Sequence, residues 1–175
     1  MLNSNLKPLW GVAPHQTILI DFFALVFILL MPAVSHLTRF PIYLIEPMRI
    51  MLVVSIIFSS RYNAYALAIM LPLFSFLVSG HPAPVKMVII IAELLINVWL
   101  FLRLAGYTKK SFIAMALAIL ISKVFCYLLY WMVLSWSFVV EESSLVFILA
   151  QLILTTVLSS FIGIVTTKRR ILAMD

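Results

Sequence analysis

The sequence has few charged residues, few glycines and a single cysteine, and each scarcity excludes a class of protein. Only 10% of its 175 residues are charged, against roughly 25% in an ordinary soluble domain. Cys126 stands alone and cannot form an intramolecular disulfide. The four glycines are isolated from one another, so the chain lacks the glycine loop with which ATPases bind phosphate. No His, Cys, Asp and Glu residues have zinc-ligand spacing, and we predict neither a metal nor a cofactor.

Apolar side chains, by contrast, are abundant. They make up 65% of the sequence, and a soluble domain of this length has too little interior to bury them. Lipid must therefore solvate much of the surface. We predict an all-α, polytopic protein of the bacterial inner or plasma membrane, with residues 1–175 forming a single transmembrane domain. The formal net charge of +6 comes from basic residues at the ends of apolar runs, which indicates membrane topology rather than nucleic-acid binding.

Six apolar runs are candidate membrane-spanning helices, each of which needs about 20 mostly apolar residues. The predicted spans are 17–35, 47–60, 63–79, 84–104, 111–136 and 144–166. The second and third are short, and only the segment Ser59–Asn63 separates them. They form either a tight hairpin or one interrupted segment. The hairpin fits better, because 47–79 is far longer than one crossing.

Lysine and arginine residues predict the orientation. With the N-terminus in the cytoplasm, the cytoplasmic segments carry eight basic residues and the outer loops and flanks carry three. The eight are Lys7, Arg61, Arg103, Lys109, Lys110, Lys168, Arg169 and Arg170; the three are Arg39, Arg49 and Lys86. Because basic residues favour the cytoplasmic side, we predict that both termini are cytoplasmic.

Three ionisable residues, Asp21, Glu93 and Lys123, fall within apolar runs, where a charge costs about 2.5–3.5 kcal/mol. Asp21 lies near the cytoplasmic end of its span, and we expect an interfacial residue or a partner for a basic loop. Glu93 and Lys123 lie near the middle of the membrane. They either form a structural ion pair with each other or line a polar cavity that binds a solute. The two interpretations are compatible if the pair exists only in the empty state.

Further polar and aromatic residues accompany these charges at helical spacing. Lys86, Glu93 and Asn97 share one helix face, and Lys123 is followed at the fourth and seventh positions by tyrosines. The sixth span contributes a glutamine, and the outer loops contribute basic groups. The predicted substrate-binding residues are Arg39, His81, Lys86, Glu93, Asn97, Lys123, Tyr127, Tyr130 and Gln151.

One part of the chain resembles a known family. The stretch Leu71–Pro82, together with Lys86 and Ala92-Glu93-Leu94, resembles the substrate-binding S components of energy-coupling-factor (ECF) vitamin transporters. In that family a proline-containing third span often ends in a Ser/Thr-Gly-x-Pro turn, here Ser79–Pro82, and a helix with an acidic residue follows. The size, the six spans and the cytoplasmic termini also match.

The resemblance implies a protein that captures a vitamin or related micronutrient from outside. It would dock on a transmembrane coupling subunit driven by two ATPase subunits, with its site in the outer loops and the outer halves of the later helices. The family's small-xxx-small docking pattern is missing from the first span, where Ala24 and Ala33 lack that spacing. The spacing occurs elsewhere, where it serves either packing within the bundle or docking: Ala64 with Ala68, and Ala114 with Ala118.

Two other functions compete with this one. A membrane scaffold, similar in size and span number to the rod-shape-determining protein D family, would need no solute. A small secondary transporter would use Glu93 for proton coupling. We do not expect an enzyme, because no serine has an obvious general base in the same layer of the membrane.

Overall fold

The computed structural model describes residues 14–39, 45–80, 82–108, 110–134 and 145–172, and within these ranges the only regular elements are six α-helices. They are α1 (Pro14–Thr38), α2 (Pro47–Phe58), α3 (Arg61–Ser79), α4 (Pro84–Tyr107), α5 (Ser111–Leu134) and α6 (Leu145–Leu172). All of them except α2 are long and apolar enough to cross a membrane. The protein is therefore a multi-pass membrane protein of the all-α class.

Large apolar side chains on the outside of the long helices agree with this class. More than half of each side chain is exposed in a set from α1, α5 and α6: Phe22, Phe23, Leu128, Trp131 and Ile153. In water such exposure would mark an interface or an aggregation site. In a bilayer these side chains are solvated by lipid.

The second and third predicted spans are two separate helices. α2 ends at Phe58 and α3 begins at Arg61. The hydroxyl of Ser60 accepts a hydrogen bond from the backbone N–H of Asn63 at 3.2 Å, which caps the first turn of α3. The segment therefore forms two helices that pack against each other, as the hairpin interpretation expects.

Proline and glycine fix several helix ends. Pro47 and Pro84 begin α2 and α4, where the missing backbone N–H would have no intrahelical acceptor. Gly80 ends α3 with φ at 69°, and its N–H donates to the carbonyl of Phe76 at 2.9 Å. Glycine adopts this left-handed geometry without steric cost. The largest difference from the predicted boundaries is in α6, which continues to Leu172 rather than ending at 166.

The short helix α2 lies inside the bundle, where it packs against α1, α3, α4 and α6. Its apolar residues form one core with α3–α6 and a second core with α1 and α3. In the first core the α2 residues are Leu52, Val53, Ile56 and Ile57. The second core joins Ala24, Ile28, Met51, Leu67 and Leu71. A helix buried on several sides needs an almost continuously apolar sequence. In α2 every residue from Ile50 to Phe58 is apolar except Ser55.

α2 begins part-way along α1. At one end of the two helices the Ser59 hydroxyl donates to Thr17 Oγ1 at 3.3 Å, which fixes their alignment. From Thr17 to Thr38 α1 rises about 31 Å, whereas from Ser59 back to Pro47 the rise is only about 18 Å. The first residue of α2 therefore lies about 13 Å short of the far end of α1. α2 therefore begins part-way along the bundle rather than level with the end of α1.

The two alanine pairs with small-xxx-small spacing pack within the bundle. Ala64, Ala68, Ala114 and Ala118 are all fully buried in the first core. Small side chains at these positions let α3 and α5 approach their neighbours closely. Packing, the first of the two interpretations, therefore accounts for both pairs.

A substitution at Gly163 tests the close approach of α5 and α6. A Cβ atom on Gly163 would lie 3.1 Å from Phe112 Cβ and 3.6 Å from its Cα. Gly163→Leu is therefore expected to lower the free energy of unfolding by about 1–3 kcal/mol, because a larger side chain must push the helices apart. Thermal unfolding in detergent micelles measures the change. The control is Gly106→Leu, where nothing lies within 4 Å of the added Cβ; equal losses from both substitutions would contradict the prediction.

Candidate functional site

Four charged side chains meet where α2 begins, and we call Glu46, Arg49, Glu93 and Lys123 the charged cluster. Arg49 Nη1 lies 2.6 Å from Glu46 Oε2, and Arg49 Nη2 donates to Glu93 Oε1. Lys123 Nζ donates to Glu46 Oε1 and lies 3.8 Å from Glu93 Oε1. Each cation therefore contacts both carboxylates. The cluster joins α2, α4 and α5, together with the residue that precedes α2.

Burial makes the electrostatics of the cluster strong. Arg49 is 3% exposed and Lys123 is 11% exposed, while each glutamate is 17% exposed. Removing a charge from water is costly unless a partner compensates it. With two cations and two anions, the formal charges of the cluster cancel. The carboxylates and the ammonium keep some exposure, so they remain the accessible members.

The local backbone places Glu46 and Arg49 together. Glu46 has φ 46° and ψ 62°, a left-handed conformation that is unfavourable for a residue with a Cβ. Its carbonyl accepts hydrogen bonds from the N–H groups of Arg49 at 2.9 Å and Ile50 at 3.2 Å. Pro47 then starts the helix. Residues three apart on a helix are neighbours, so the Arg49 guanidinium lies against the Glu46 carboxylate.

Two members of the charged cluster were predicted from the sequence, and two were not. Glu93 and Lys123 do approach each other, but each has a closer partner. Glu93 contacts Arg49 most closely, and Lys123 contacts Glu46 most closely. Arg49 had been counted with the outer loops and flanks, and Glu46 was not among the predicted site residues. The signal that could have found them is the segment Glu46-Pro47-Met48-Arg49, in which a proline fixes a helix start and an acid and a base stand three apart.

Asn97 lies one turn from Glu93 and links α4 to α5. It is fully buried, and its Nδ2 donates to Ser122 Oγ at 3.4 Å. Ser122 in turn donates to the carbonyl of Ile119 at 3.0 Å. Within the described ranges the Oδ1 atom of Asn97 has no hydrogen-bond partner.

Tyr127 and Gln151 are also brought together. The Tyr127 hydroxyl donates to Gln151 Oε1 at 3.2 Å, which joins α5 to α6. Tyr127 is 50% exposed, whereas Gln151 is buried. Tyr127 follows Lys123 by one helical turn, so this pair extends the polar region of α5 beyond the charged cluster.

The remaining predicted site residues lie farther along the helices or outside them. Lys86 is exposed on α4, about 10 Å along the helix from Glu93, and half-buried Tyr130 is about as far from Lys123 on α5. Arg39 follows α1, is exposed and has φ 53°. His81 lies outside the described residues.

A second polar group lies at the opposite end of α2. Asn63 Nδ2 donates to Asp21 Oδ1 at 2.6 Å and lies 3.5 Å from Ser55 Oγ. The hydrogen bond between Ser59 and Thr17 lies beside it. Asp21 is half-buried, and its hydrogen-bond partner among the described residues is the Asn63 amide of α3. This group ties α1 to the α2–α3 hairpin and serves structure.

Asn63→Leu tests that role. The substitution is expected to lower the free energy of unfolding by about 1–3 kcal/mol, because the Asp21 carboxylate loses its amide donor in a poorly hydrated place. Thermal unfolding measures the loss. Combining Asn63→Leu with Asp21→Leu removes both partners and should cost less than the sum of the single changes. Strict additivity would show that the two side chains do not act together.

No family model matches the chain, and neither a curated protein nor a solved structure matches it. Within the described ranges no group of three or more His, Cys, Asp and Glu side chains could hold a metal ion. The functional interpretation therefore depends on the charged cluster and its surroundings.

Proposed function

We propose that the protein is the membrane-embedded, substrate-binding S component of an ECF-type transporter, which captures a vitamin or related micronutrient from outside the cell. The charged cluster is the observation that carries the proposal. It lies where α2 begins, inside the bundle, and three of its members keep partial exposure. Charges at this depth are costly, and they are usually kept for a solute or ion pathway.

The proposed topology has six spans, both termini in the cytoplasm and the Glu46 end of α2 facing outward in a bacterial plasma membrane. Arg61, Arg103, Lys110 and Lys168 are exposed, as basic residues at a cytoplasmic surface should be. Arg49 belongs to the charged cluster rather than to a loop. The count of basic residues in loops and flanks thus becomes eight inside against two outside, which strengthens the asymmetry.

In this function the solute enters from the outer side and binds at the Glu46 end of α2. Burial of its apolar part supplies most of the binding energy, and the charged cluster orients its polar part. Tyr127 and Gln151 lie on the same side of Lys123 and supply an aromatic face and an amide. Release into the cell would require docking on a transmembrane coupling subunit with two ATPase subunits, since the chain has no phosphate-binding loop of its own.

Native mass spectrometry of the gently purified protein is the first test. A co-purifying molecule of vitamin size, and a thermal shift with that vitamin, would support the proposal. ATP-dependent uptake after reconstitution with the coupling and ATPase subunits would support the ECF assignment. A bare protein mass, together with no thermal shift across a vitamin panel, would contradict solute binding.

A structural membrane scaffold is the second candidate, and the cancelled charges of the cluster favour it. Two acids and two bases that compensate one another need no ligand. In a scaffold the cluster would serve only to hold α2, α4 and α5 together. The native mass and the vitamin panel distinguish the two functions.

A further inference from the structure

The charge balance of the cluster restricts which solutes it accepts. Its two cations and two carboxylates already cancel. A solute that adds a net charge leaves one charge uncompensated in a poorly hydrated place, which is costly. A charged solute must therefore take the place of a member with the same sign.

Glu46 is the member most easily replaced. Glu93 and Lys123 lie in the middle of long helices, and Arg49 is almost fully buried in the first turn of α2. Glu46 precedes α2 and is held in a left-handed conformation, and its side chain makes no capping hydrogen bond to the helix. Rotation about the side-chain torsions of Glu46 would withdraw its carboxylate from the cluster without displacing α2.

The Arg49 guanidinium has an unused donor for an incoming acid. Its Nη1 and Nη2 atoms contact Glu46 and Glu93, but within the described ranges Nε has no hydrogen-bond partner although it is buried. A carboxylate can engage Nε and a terminal nitrogen of arginine together, in two parallel hydrogen bonds. Glu46, tethered three residues away, contacts only one terminal nitrogen.

We infer that the solute carries a carboxylate, which displaces the Glu46 carboxylate from Arg49 and Lys123. This inference rests on the proposed solute-binding function and adds the chemical class of the solute. In the empty protein Glu46 occupies the position of the missing acid and competes with it. Glu93 stays in place and keeps Arg49 oriented.

Acid and amide forms of the same compound test the inference on the unaltered protein. Suitable pairs are biotin and biotinamide, nicotinate and nicotinamide, and pantothenate and its alcohol pantothenol, each titrated by thermal shift and calorimetry. One acid should bind at least about a hundredfold more tightly than its neutral partner, because the neutral form cannot replace the Glu46 carboxylate on Arg49 and Lys123. Equal affinity of both forms would overturn the inference.

Two isosteric variants then identify which glutamate the acid replaces. E46Q removes the competitor and should tighten binding of the acid about tenfold, whereas E93Q disturbs the orientation of Arg49 and should weaken it. Weaker binding in E46Q, or tighter binding in E93Q, would overturn the role given to Glu46.

The panel also separates this inference from the function on which it rests. If thiamine or riboflavin binds and no acid does, the solute-binding function stands and the carboxylate inference is wrong. If nothing in the panel binds and the native mass shows no bound molecule, the proposed function fails and the inference fails with it.

Discussion

Replacing Arg49 by methionine is expected to lower the free energy of unfolding by about 3–5 kcal/mol, the cost of breaking a buried ion pair from one side. The guanidinium is 3% exposed and contacts the carboxylates of both Glu46 and Glu93. Without it, two acids share the single charge of Lys123. Chemical or thermal denaturation in detergent micelles measures the loss.

Two further variants make that result specific. Arg103→Met alters an exposed arginine that lies 5.7 Å from the Trp99 ring, and it should cost at most about 1 kcal/mol. Adding Glu93→Gln to Arg49→Met restores a net charge of zero, and we expect it to recover about 2 kcal/mol through the coupling between the two sites. If the double variant is less stable than Arg49→Met alone, the cluster is not held together by charge compensation.

Lys123→Met is expected to weaken solute binding at least about a hundredfold while the protein still inserts and folds, because it truncates one partner of a buried charge pair at the binding site. The ammonium contacts both carboxylates and is one of the two cations that would receive the solute. The measurement is a calorimetric titration with the compound that native mass spectrometry identifies.

Lys168→Met is the matched control, since it makes the same chemical change at an exposed position near the other end of the bundle. Its affinity for the solute should equal that of the unaltered protein. If Lys123→Met also leaves the affinity unchanged, the solute binds elsewhere and the charged cluster is structural. That outcome would shift support to the scaffold function.

The helices could be predicted because lipid imposes a simple requirement, a run of apolar residues long enough to cross it. Glu93 and Lys123 were recognisable for the same reason, since a charge inside such a run stands out. Periodicity also placed Asn97 on the face of Glu93. Sequence spacing could not show that Asn97 bonds to Ser122, because that contact depends on how α4 packs against α5.

The place of Glu46 and Arg49 beside Glu93 and Lys123 could not be predicted, because it depends on where α2 begins in space. Glu46 and Arg49 flank Pro47, between the residues that follow the first predicted span and a short apolar run, which is the usual pattern of a loop and a helix start. The burial of Arg49 and the alignment of Ser59 with Thr17 show that these residues lie well inside the bundle. Because of this position, Arg49 belongs to the charged cluster and is no longer counted among the loop residues that indicate topology.

The spread of the four charges along the chain has a consequence for synthesis of the protein. Glu46 and Arg49 emerge first and neutralise each other as near neighbours. Glu93 then adds a negative charge to the growing protein, and no cation of the cluster is left to cancel it until Lys123 has been made. Since an unpaired charge within a bilayer is costly, we expect α4 to reach its final position only together with α5. Ribosomes stalled between the two helices should therefore hold a chain whose fourth helix is still easily extracted from the membrane.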